Sequence, residues 1–231
     1  MKRFLVALAV LCSLLAFVGF VSDPNALAKD MSSIKSVAIV SLSVSDVGGS
    51  VQSGSVGSTP VSELISGTVS NMLTDAEKKL SSKWTVVKAS TFIDNADYRK
   101  AGVEKTLTVY LPKVNGKEMP VLTQVSKEIK GGIIDPQKAK DLCKALNVNA
   151  VVLIFSEWAS KTGGFVPTTK ALSKNILSVW DSNGNQVVKE RIDMVGNKTL
   201  GVGGIKAVNQ ETIEEWRDSY NRALDKIIGS L

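Results

Sequence analysis

Histidine is absent from this chain of 231 residues, and cysteine occurs only twice. The first absence removes Ser-His-Asp triads, HExxH zinc sites and every histidine general base. The second leaves too few thiols for a thiolate zinc cluster or a CxxC redox pair. Cys12 sits in the N-terminal apolar run, so a processed chain keeps only Cys143 and forms no intramolecular disulfide. Neither GxxxxGK[ST] nor GxGxxG occurs, so the usual phosphate cradles are missing. Basic residues outnumber acidic ones, 28 to 22, but they are interleaved with acids and form no run. That is a solvated surface and not a nucleic-acid groove. No cofactor, no metal and no nucleic-acid partner is expected.

What is present begins with the N-terminus. Lys2 and Arg3 precede an apolar run over 4–21, and Ala26-Leu27-Ala28 is a small-x-small box. This reads as a secretory signal peptide over 1–28, cleaved between Ala28 and Lys29. The competing reading is an uncleaved anchor, because a run of about 18 residues reaches the lower limit for spanning a bilayer. A lipidation site at Cys12 is disfavoured by the large Leu11 before it. The remainder, 29–231, is one domain, periplasmic or secreted, with no stable membrane span after cleavage.

The organising stretch is 135–158. Asp135 is an N-cap and Pro136 suits the first helical position. Ala139, Leu142, Cys143 and Leu146 mark one apolar helix face. Asn147 or Asn149 can take the left-handed conformation that ends the helix. The run 150–155 is apolar on both faces, as a central strand requires. A first strand is predicted over 34–44, then a Gly/Ser loop over 46–58. Thr59 and Pro60 open a long helix with apolar positions from Val61 to Leu80. A short strand follows at 84–87, and a short helix capped by Thr91 runs to Gly102. Residues 106–124 form an insertion, read as a hairpin of 107–114 against 119–124 turning at Asn115-Gly116, although Pro112 and Pro120 oppose it. Residues 160–167 read as a turn. A second hairpin, 174–181 with 186–195, turns at Ser182-Asn183-Gly184, and 197–207 reads as a connection. The last helix opens at Asn209 or Gln210 with Glu211, Glu214 and Glu215 at its positive end. Ile213, Trp216, Tyr220, Leu224, Ile227 and Ile228 lie on one side of it.

The order is therefore β-α-β-α-β-β-β-α: an α/β fold with a mixed five-stranded sheet and three main helices, plus the insertion. Three segments carry a resemblance: Ser36-Val37-Ala38-Ile39-Val40, the turn Ala145 to Val152, and the hairpin from Val179-Trp180-Asp181 to Val188. They resemble the α/β domains of bacterial envelope proteins: the N-terminal domain of the Tol–Pal propeller protein, the curli-secretion lipoprotein and the lipoprotein activators of penicillin-binding proteins. The resemblance implies a role in envelope assembly or transport and an envelope protein as partner.

Candidate chemistry is sparse. Ser32–Lys35, Ser173-Lys174-Asn175 and Lys161-Thr162-Gly163 match β-lactamase elements, in the wrong order. Asp94 with Asp97, and Glu190 with Asp193, are nearby carboxylates on solvated surfaces. Trp158 and Trp180 read as core or rim. Ser55, Gly57, Ser58 and Thr59, ahead of the long helix, form the one candidate anion or partner surface. The expectation is a non-enzymatic exported protein that binds another envelope component. Its alternative is a small-ligand or anion-binding periplasmic domain.

Overall fold

A strand apolar on both faces is satisfied only inside a sheet covered on both sides. The computed structural model places two such strands side by side; it describes residues 31–46, 55–56, 59–202 and 209–231. β1 (Ser36–Asp46) runs parallel to β4 (Thr85–Val87) on one side and to β7 (Ala150–Gly163) on the other. β8 (Thr168–Asp181) and β9 (Gln186–Val202) continue antiparallel. The result is the predicted mixed sheet, in the order β4-β1-β7-β8-β9. The signal segment with Ala28 and Lys29, and loop residues 47–54, Gly57 and Ser58, lie outside the described residues.

The helices form where the apolar spacing demands. α1 (Val61–Leu80) connects β1 to β4 and buries Ile65, Val69, Met72 and Leu73. α5 (Pro136–Leu146) leads into β7, capped by the Asp135 side chain, which accepts from the Lys138 N–H at 3.0 Å. Right-handed crossovers send these two connections over opposite faces. Asn147 takes the left-handed conformation with φ 52°, which frees Asn149 for another task. The Asn149 Oδ1 accepts from the Lys35 and Ser36 N–H groups and from the Ser36 hydroxyl, tying the starts of β1 and β7 together. α6 (Gln210–Ser230) starts in a capping box between Asn209 and Thr212 and lies against α1. Its Trp216 stacks on Trp158 of β7, ring centroids 5.8 Å apart, and donates to the Ala159 carbonyl at 2.8 Å.

The other face is covered by what was read as an insertion. α2 (Ala89–Phe92), α3 (Ala96–Lys100) and α4 (Ser126–Gly131) are short, and residues 106–124 run between α3 and α4. Val109, Leu111, Val121 and Ile129 pack on Phe155 of β7. The segment is thus part of the core.

Several expectations need correction. The helix capped by Thr91 is two short helices, the second capped by Asn95. Thr59 does not cap α1. Thr59–Pro60 is β3, paired with β2 (Ser55–Val56), and the extended Pro60 fills the N-cap position without a side-chain bond. The hairpin in 106–124 shrinks to β5 (Lys113–Val114) and β6 (Lys117–Glu118). Asn115 and Gly116 both have positive φ, as a tight hairpin turn requires, and the two prolines bound the pairing because they lack donors. The regions 160–167 and 197–207, read as connections, are strand up to Gly163, from Thr168, and up to Val202.

Candidate binding surface

The strands were underestimated because their distal halves lack the apolar alternation of a covered strand. That same pattern leaves one face of β7, β8 and β9 open. In an antiparallel sheet directly opposite residues share a face, so the registry assembles rows across the three strands. Glu157, Lys174 and Asp193 form one row; Ala159, Leu172 and Val195 form the next; Lys161, Lys170 and Thr199 the one beyond. Nearer the start of β7 the face is closed. There Ser178 Oγ and Trp180 Nε1 both donate to the Gly132 carbonyl, and Phe155 sits under the 106–124 segment. Past Phe155 the cover ends, and Ala159, Leu172 and Val195 are left half-buried.

The charged row is held by the sheet itself. Lys174 Nζ is ion-paired with Glu157. Arg191 bridges to Asp193 with two hydrogen bonds of 3.2 Å. Those bonds, and the Asp193 charge behind them, raise the Arg191 pKa above its ordinary value. An apolar strip beside ordered charges matches the apolar core and polar rim of protein interfaces.

At the far end the β7–β8 turn carries Phe165, which is fully exposed, and Val166, 60% exposed. Val202 of β9, 56% exposed, lies opposite Thr168. The opposite face of the same strands is closed by α6. There Ser156 donates to Asn175 Oδ1 at 2.8 Å, and Asn175 Nδ2 donates to Ser173 Oγ at 3.0 Å.

The residues singled out from sequence separate accordingly. Ser173 and Asn175 lie under α6 while Lys174 lies on the open face, so the β-lactamase fragments do not assemble. Asp94 pairs with Lys117, away from Asp97. Asp193 pairs with Arg191, not with Glu190. Ser55 and Thr59 lie in the β2–β3 pair, on no row of the open face. Cys143 is buried at 2% exposure, and burial, with Asp181 nearby, pushes its thiol up to about 11. Among the described residues no group of three or more Cys, Asp or Glu is placed to hold a metal ion. Leu172, Val195 and Arg191 were not singled out from sequence. The faint signal was the alternation Lys170-Leu172-Lys174-Ile176 along β8.

No protein-family model and no curated protein matches this chain. Among solved structures, the lipoprotein GNA1162 of Neisseria meningitidis is similar over 83% of this chain and 99% of its own, with 10% identity and a TM-score of 0.35. The hypothetical protein CT253 of Chlamydia trachomatis is similar over 83% and 98%, with 15% identity and a TM-score of 0.32. Likenesses this distant carry no argument about this chain. What defines the molecule is its own geometry: a mixed-sheet α/β domain with one open sheet face.

Proposed function

We propose that the chain is exported by its N-terminal signal and acts without catalysis, by docking a protein of the cell envelope on the open face of β7–β9. The single observation behind this reading is the half-buried strip Ala159–Leu172–Val195, rimmed by Glu157–Lys174 and Arg191–Asp193. Apolar side chains left part-exposed beside ordered charges gain when a complementary surface covers them. The test is a photo-crosslinking residue at position 172 in intact cells. The expected result is one discrete protein adduct, lost in Val195→Glu with the circular dichroism spectrum unchanged. Equal labelling from position 172 and from a control site on α1, such as 78, would overturn the docking reading. Intact mass of the protein from the envelope tests export separately: the expected species begins at Lys29.

A further inference from the structure

The tip of the β7–β8 hairpin differs chemically from the docking strip. Gly163 and Gly164 lead into Phe165 and Val166, and the exposed Val202 stands beside them on β9. Phe165 is the most exposed large apolar side chain among the described residues, none of which covers it. Behind this apolar end, Lys161 and Lys170 lie directly opposite each other on neighbouring strands. Like charges so placed repel. The nearest acids in sequence are Glu157 and Asp181, so none lies between them in the hairpin. Glu157 is already held by Lys174. Lys170 donates to the Asn197 carbonyl at 3.2 Å, and neither lysine is ion-paired among the described residues. Apolar side chains at the end and positive ammonium groups one row behind match the layering of an anionic bilayer. Acyl chains lie beneath its headgroups, and the negative charge sits at the headgroup level.

We propose that the β7–β8 tip is a peripheral membrane contact, in which Phe165 and Val166 enter the headgroup boundary of an anionic bilayer while Lys161 and Lys170 meet lipid phosphates. The contact is independent of the protein-docking reading, since it uses different residues and a different partner. It crosses nothing; no helix among the described residues is long and apolar enough to span a membrane. Two apolar side chains and two lysines make a weak contact that orients a protein already held or concentrated at the envelope.

The test uses the full chain with an environment-sensitive fluorescent residue at position 166, and a control with the same residue at 183 in the β8–β9 turn. The probe is vesicles of phosphatidylglycerol with phosphatidylcholine, against phosphatidylcholine alone. A blue shift and severalfold brightening at 166, confined to the anionic vesicles and absent at 183, is the expected result. Lys161→Gln and Lys170→Gln should each raise the lipid concentration needed by about fivefold. Phe165→Asp should abolish the shift while Trp216 and the rest of the core stay folded. No shift at 166, or an equal shift at 183, overturns the proposal. So does a photo-crosslinker at 165 that yields a protein adduct and no lipid adduct in native membranes.

Discussion

At the scale of single residues, the fold depends on polar groups placed where the regular ladder fails. Val40 is the extra residue where β1 slips against β7, between Ile39 and Ser41. A bulge leaves a carbonyl unpaired, and here it accepts from the buried Tyr98 hydroxyl at 3.0 Å. Burial pushes the Tyr98 phenol upward, so it stays protonated and keeps donating. Tyr98→Phe should therefore cost about 1–3 kcal/mol, read as a lowered urea midpoint with an unchanged slope. A second case sits in β9, where three residues face one between Val195 and Thr199. The Lys198 N–H there donates to Glu215 at 3.1 Å, which explains why a glutamate is buried. Cys143 makes the opposite point. With its thiol at about 11 and its side chain covered, it should label slowly with a maleimide at neutral pH in native protein. In denaturant it should label rapidly, and fast native labelling would restore a chemical role for it.

At the scale of elements, α6 is the piece on which closure depends. Trp216 stacks on Trp158, and its removal opens a large cavity, so Trp216→Ala should cost about 3–5 kcal/mol by chemical denaturation. The helix is also clamped to α1 by Arg217, which holds Asp75 through bonds of 2.7 and 3.1 Å. Burial alone would raise the Asp75 pKa. The hydrogen bonds from Arg217 and Asn221, with the charges of Arg217 and Lys79, outweigh it and hold the carboxyl below its ordinary value. A carboxyl depressed on folding stabilises fully above its unfolded pKa, and that contribution disappears as pH falls through the lower folded value. The clamp should thus be intact at neutral pH and weaken below about pH 4. Asp75→Asn should flatten the acid limb of stability against pH. An unchanged limb would assign acid sensitivity elsewhere.

These elements were unequally legible. The stretch 135–158 and α6 were readable because cap, apolar spacing and end signal agree there. The distal strands were not, since Lys161, Thr168 and Lys170 lie on a sheet face that no described element covers, so the apolar alternation is weak. The half-buried strip Ala159–Leu172–Val195 was missed for the same reason: its rows exist only once three strands are in register. The role of 106–124 was hidden by Pro112 and Pro120, which break the strand pattern while Met119, Val121 and Leu122 still bury. Deleting 106–124 should therefore unfold the domain, seen as loss of the cooperative melt, and not simply remove a surface loop.

At the scale of the whole molecule, the sheet order has a consequence for when the chain can complete its sheet. β1 is second in from one edge, yet its longer partner β7 begins more than a hundred residues later, with Val37 opposite Ala150. β4 offers it only three paired residues. The early segments, α1 and β4, cover one face and one edge of β1 only, and loop closure of that length delays its pairing with β7. The late strands β7, β8 and β9 are sequence neighbours joined by short turns, whereas the β1–β7 pair closes the longest loop in the sheet. A fragment ending before residue 150 should show no cooperative melt by calorimetry, while the complete chain does. Such a topology leaves the leading half of the polypeptide without its longest partner strand until β7 has been made, a delay that would suit the export proposed above.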